Sequence, residues 1–165
     1  MSFRKSKFKR ARDKIEVICT KGERHENFWA TPNNLLKGKG CNICQISHGG
    51  KIIARWLEKN KINYLTEWTG HNLYSPSYFR SKLRFDFYIK KLNLIIEYDG
   101  EQHYRPMTLG RMSKKNALKQ FKIIKRNDKL KNNWAKKHKI RMIRIKYNQN
   151  ILKILEKKVM RVNSV

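Results

Sequence analysis

The string RFDFYIKKLNLIIEYDGEQH, residues 84–103, carries the side chains best suited to do chemistry. Asp86 lies inside one short apolar run, Glu97 and Asp99 close the next, and His103 follows a turn. Carboxylates held close together repel unless a cation joins them. The chain has 12 acidic residues against 40 lysines and arginines, and three of its four aspartates are Asp86, Asp99 and Asp128. Acids so scarce, gathered in a basic chain, point to a divalent cation. Mg²⁺ held by carboxylates generates hydroxide near neutral pH and offsets charge on a leaving oxygen. A histidine titrating near neutrality suits the proton transfer. Asp128 falls four residues after Ile124 and seven after Phe121, so it shares their helical face. Taken singly, Asp86 also suits a buried ion pair with an arginine, His103 a loop cap, and Asp99-Gly100 a turn. Taken together, scarce acids clustered in a basic chain favour the metal site over these separate readings.

A second constellation precedes it. Cys19, His25, Cys41 and Cys44 offer three thiolates and an imidazole, the donor set of a tetrahedral structural zinc. Cys41 and Cys44 form a CxxC knuckle after the glycines of KGKG, and His48 is the rival for the fourth position. Zinc binding would supply folding energy to a segment too small to build its own core. Three cysteines, an odd number, do not suit a disulfide framework, and no signal peptide opens the chain, so a reducing intracellular compartment is expected.

These side chains need a frame. KIEVIC (14–19) alternates like a strand, and TPNNLLKGKG reads as a turn-rich connector. Ile52, Ile53, Trp56 and Leu57 recur at helical spacing between Gly50 and Asn60. INYLTEW (62–68), LRFDFYI and LNLIIEYD read as strands, the last two as a hairpin joined by KKLN. Residues 114–138 predict one long helix with Ala117, Phe121, Ile124, Leu130 and Trp134 inward. IRMIRIKY is a strand and NILKILEKKVM a closing helix. The core order is helix, three strands, helix, strand, helix. Expected divisions are a basic arm over 1–13, a zinc knuckle over 14–48 and an α/β domain over 49–165.

The net charge of +28 favours a polyanionic partner, with nucleic acid first. No stretch is long and apolar enough to enter a membrane. Arg80, Lys82, Arg84, Arg105 and Arg111 are the expected backbone contacts, and loops 71–82 and 104–113 the likeliest base readers. Tyr74, Tyr78 and Phe79 in the first loop suit stacking or wedging between bases as well as covering a core edge. His71 and His138 have no partner by spacing and read as surface residues. Oligomeric state is open, with a monomer favoured.

FDFY (85–88), IEYDG (96–100) and Gln102-His103 together resemble the PD-(D/E)XK nuclease superfamily, and most closely its very-short-patch-repair-like branch with the EDxHD homing endonucleases. Relatives of phage type carry an upstream zinc knuckle and a phrase much like NFWATPNNLLKGKGCNIC, so the likeness spans roughly residues 14–147. It implies a restriction-endonuclease-like core, α-β-β-β-α-β-α, with a central mixed sheet flanked by helices. It further implies a Mg²⁺-dependent DNA endonuclease of homing or repair type, and the phage-type relatives imply a phage or virus origin. By position, Asp86 is the principal metal ligand and Glu97 a second contact. His103 is the general base or water-orienting group, and Asp128 supports it. Gln102 belongs to the motif, and Asp99 stands where the superfamily carries lysine. The first acid of the EDxHD pattern falls at Lys51, with Glu58 and Glu67 as its nearest replacements. The alternative is a non-catalytic, basic, zinc-bearing nucleic-acid-binding or packaging protein on a nuclease fold.

Overall fold

The structure is a computed structural model and describes residues 2–3, 10–21, 27–77, 81–108, 110 and 112–160. The chain divides into two compact units, Met1–Lys51 and Ile52–Val165.

In the first unit, β1 (Ser2–Phe3), β2 (Ile15–Ile18) and β3 (Phe28–Ala30) form an antiparallel sheet in that order. Ser2 and Phe3, within the basic N-terminal stretch, are thus strand residues. Ile15, Val17 and Ala30 are its buried core, joined by the partly buried Phe28 and Leu35. The connector after β3 holds a short helix, α1 (Pro32–Leu36), that periodicity is too long-ranged to detect. Thr31 caps it by accepting from the Asn34 amide at 3.3 Å, Pro32 supplies a preset φ, and Gly38 ends it at φ +77°. The single turn α2 (Asn42–Gln45) carries the CxxC knuckle. Next comes α3 (His48–Lys59), entered through Ser47, whose hydroxyl accepts from the Gly50 amide.

The second unit centres on a mixed four-stranded sheet in the order β4 (Leu65–Trp68), β5 (Phe85–Ile89), β6 (Leu94–Asp99), β7 (Arg141–Lys146). β4, β5 and β6 run antiparallel, and β7 lies parallel to β6 after the crossover helix α4 (Lys114–Lys137). A parallel partner needs such a crossover, because no tight turn can return the chain in the same direction. α5 (Ile151–Val159) closes the unit with Ile151, Leu155 and Val159 buried. The element order therefore agrees with the sequence pattern, with strand β4 three residues shorter at its start. β6 is buried at every position except the half-buried Tyr98, so Glu97 and Asp99 are carried into the interior by a strand whose other residues drive burial.

Candidate functional site

β5 and β6 pair as Ile89–Leu94, Tyr88–Ile95 and Phe87–Ile96. Continuing that register sets Asp86 opposite Glu97, and there side chains replace the backbone ladder. The Asp86 amide donates to Glu97 Oε1 at 3.1 Å, and the Tyr98 amide donates to Asp86 Oδ2 at 2.8 Å. Each carboxylate thus satisfies an amide left open by the parting strands. Burial pushes the Asp86 carboxyl up from its usual value, with the charges of Glu67 and Asp99 adding to the rise. Glu97 is pushed up to about 7, by burial first and by Asp86 beside it, despite the opposing charge of Lys131.

Lys131 comes from α4. Its ammonium donates to Glu97 at 3.0 Å to Oε1 and 2.8 Å to Oε2, and lies 5.3 Å from the centre of the Phe85 ring. Arg144, set beside Glu97 by the parallel register of β7, binds Asp99 in a fork at 2.8 and 2.5 Å. The same guanidinium reaches Asp128 Oδ1 at 2.7 Å. Asp128 Oδ2 meets His103 Nδ1 at 2.8 Å. An ionised carboxylate only accepts, so Nδ1 carries the hydrogen and a neutral ring keeps its Nε2 lone pair. Burial would raise Asp128, but His103 and Arg144 hold its carboxyl below the usual range. Tyr104 donates to Asp99 at 3.1 Å, and burial with that acid's charge pushes the phenol up to about 12.

The expected acids therefore form two adjoining groups on β6: Asp86 with Glu97, and Asp99 with His103 and Asp128. With all four carboxylates ionised, Lys131 and Arg144 leave two negative charges unmet within the site. Ligand atoms of Asp99, His103 and Asp128 lie within 4.8 Å of one another, so this trio could also hold a cation, although its acids already share Arg144. His103 and Asp128 line a cleft of about 300 Å³ together with Lys131, Lys82, Arg84, Leu83 and Asn127. Asp86, Glu97 and Asp99 are not part of that lining, and Lys131 and Asp128 connect them to it. Glu67 is felt by Asp86 and pairs with Arg84 at 3.4 Å, while Glu58 accepts from the Tyr64 hydroxyl. Lys51 is exposed.

Other expected residues separate from this group. Gln102 is exposed and folds over Gly100. Arg105 pairs with Glu101 outside the cleft. Tyr78, Phe79, Arg80, Arg111 and His25 lie outside the described residues. Tyr74 is exposed, bridging to Lys82. His138 is exposed, but the expectation that His71 lies on the surface is overturned: it is 6% exposed. Its ring packs against Trp68, Phe85 and Trp134 at 5.2, 5.0 and 5.1 Å, a cluster that spacing could not reveal. Nδ1 accepts from the Leu73 amide at 3.0 Å, and among the described residues the buried Nε2 has no hydrogen-bond partner.

In the first unit, the sulfurs of Cys19, Cys41 and Cys44 lie within 4.8 Å of one another, enough to hold a metal ion. Cys19 and Cys44 are 3.7 Å apart, matching the edge of about 3.8 Å of a tetrahedron with zinc–sulfur bonds of about 2.3 Å. Burial would raise the Cys19 thiol, but the Lys21 amide and the two neighbouring sulfurs hold it down. Cys44 is pushed up to about 11 by burial and by the other two sulfurs. Three thiolates cannot coexist here without a cation. His48 is exposed and stands outside the group.

Compared with models of protein families, with curated proteins and with solved structures, the chain has no significant match.

Proposed function

We propose that this chain is a metal-dependent DNA endonuclease with a PD-(D/E)XK-like core of the very-short-patch-repair-like type, and that its N-terminal unit carries a structural zinc. The observation that carries this reading is the pairing of Asp86 and Glu97 where two strands part, beside a His103–Asp128 pair that opens on a basic cleft. All-oxygen donors suit a hard divalent cation such as Mg²⁺. Among the described residues no hydrogen bond reaches Asp86 Oδ1, so that oxygen is open to a cation. The donor set fits, with Asp86 as principal ligand and Glu97 beside it. When bound, the ion supplies Lewis acidity and lowers the pKa of coordinated water.

The chain's own residues do the rest. Asp128 fixes the His103 tautomer, so Nε2 can take the proton of an attacking water. Arg144 holds Asp99 and Asp128 so that the pair keeps its aim. Lys82 and Arg84, at the same cleft, hold the phosphodiester by charge without selecting sequence. Three cysteine sulfurs within 4.8 Å of one another, one pair at the tetrahedral edge length, support the zinc, with His25 the fourth ligand suggested by the sequence.

The second reading is a nucleic-acid-binding protein that has lost catalysis. Lys51 at the first-acid position and the Lys131 and Arg144 ion pairs favour it. Supercoiled plasmid incubated with Mg²⁺ and the chain, beside Asp86→Ala and His103→Ala, separates the two. Nicking that disappears in both variants and in EDTA is expected. Tight binding without nicking by the parent would establish the second reading.

A further inference from the structure

We infer that Lys131 is a resident counter-cation whose release couples metal binding at Glu97 to phosphodiester binding in the cleft. This rests on the nuclease reading above. Glu97 is buried, and its oxygens are already engaged: Oε1 by the Asp86 amide and Lys131, Oε2 by Lys131. A hard cation entering beside Asp86 would share the Glu97 carboxylate with the ammonium, and two cations that close repel each other. The two cations compete for one carboxylate, so Lys131 lowers the affinity of the empty site for metal.

The displaced ammonium has a destination. Lys131 lines the cleft with Lys82 and Arg84, and its side chain is 12% exposed, so a small shift carries its charge from Glu97 to the cleft. A phosphate there stabilises the shifted position and leaves Glu97 free. Metal and phosphodiester therefore favour the same placement of Lys131, and by linkage each raises the affinity of the other equally. A merely structural ion pair has neither property. Lys131 is a positioning residue in this account.

Mn²⁺ binding to the full chain, loaded with zinc, is read at pH 8 from loss of the free-ion electron paramagnetic signal. Asp86→Asn and duplex alone serve as references. In the parent, adding a duplex oligonucleotide tightens the Asp86-dependent site about tenfold. Lys131→Gln binds Mn²⁺ at least about tenfold tighter without duplex, and duplex adds little. Equal or weaker binding by a folded Lys131→Gln overturns the coupling. A complementary measurement needs no variant: reductive methylation of Lys131, followed by peptide mass spectrometry, rises on adding Mn²⁺ and duplex. Unchanged labelling also overturns it. If the parent shows Asp86-dependent Mn²⁺ binding and nicking but neither Lys131 result, only the coupling fails. If no Asp86-dependent Mn²⁺ site exists, the metal reading and the coupling fall together.

Discussion

Arg144 touches two inward-facing acids at once, so its loss leaves Asp99 and Asp128 without the cation they share. Breaking a buried pair from one side costs about 3–5 kcal/mol, and Arg144→Leu should lose stability of that order in urea melts, with Arg144→Lys losing less. A loss below about 1 kcal/mol would show that the acids are solvated. His71 gives a pH signature. Burial, helped by the charges of Lys82 and Lys131, holds its imidazole below the usual 6.5. The folded chain therefore resists protonation that the unfolded chain accepts. Stability from the neutral ring is intact above about pH 6.5 and lost as pH falls below it. The stability difference between His71→Phe and the parent should change with pH below about 6.5, in favour of the variant, and be flat above. A constant difference would contradict the buried, neutral ring. At this scale Asp86, Glu97, His103 and Asp128 were legible because acids are rare. Lys131 and Arg144 were not, being two among 40 basic residues. Their signals existed: Lys131 follows Asp128 by three residues and Ile124 by seven, and Arg144 interrupts an apolar strand.

Elements with enough repeats of their period were readable. β5 alternates Phe85, Phe87 and Ile89 inward against Asp86 and Tyr88, and α4 repeats its inward face over 24 residues. β1, β3 and α1 have two, three and five residues, too few to show a period, and their signals are capping and pairing instead. The Ser113 hydroxyl accepts from the Asn116 amide at 3.3 Å to start α4, so Ser113→Ala should cost about 1 kcal/mol in thermal or urea unfolding. Nicking should then persist at temperatures where the chain stays folded. Among the described residues the sheet of the first unit has a small buried core, Ile15, Val17 and Ala30, of the kind a metal staple supports. Metal analysis should find about one zinc per chain, and Cys41→Ser or a strong chelator should melt β1–β3 in hydrogen exchange. Full protection after chelation would remove the structural role.

Across the whole molecule the +28 charge ought to dominate nucleic-acid affinity. Each neutralised phosphate releases counterions, so log affinity should fall with log salt at about −0.9 per contact on duplex DNA. Lys82→Ala should reduce that slope by about one contact without changing sequence preference. A slope near zero would exclude a phosphate-dominated interface. Charge alone does not cut DNA, and the account stands on the acids hosting a metal. Anomalous scattering from crystals of the full chain grown with Mn²⁺ examines this at the atoms themselves. The result expected is a peak at about 2.1–2.2 Å from an Asp86 oxygen, beside Glu97, with the Lys131 ammonium withdrawn. No peak at Asp86, with Lys131 still seated on Glu97 in saturating Mn²⁺, would contradict it.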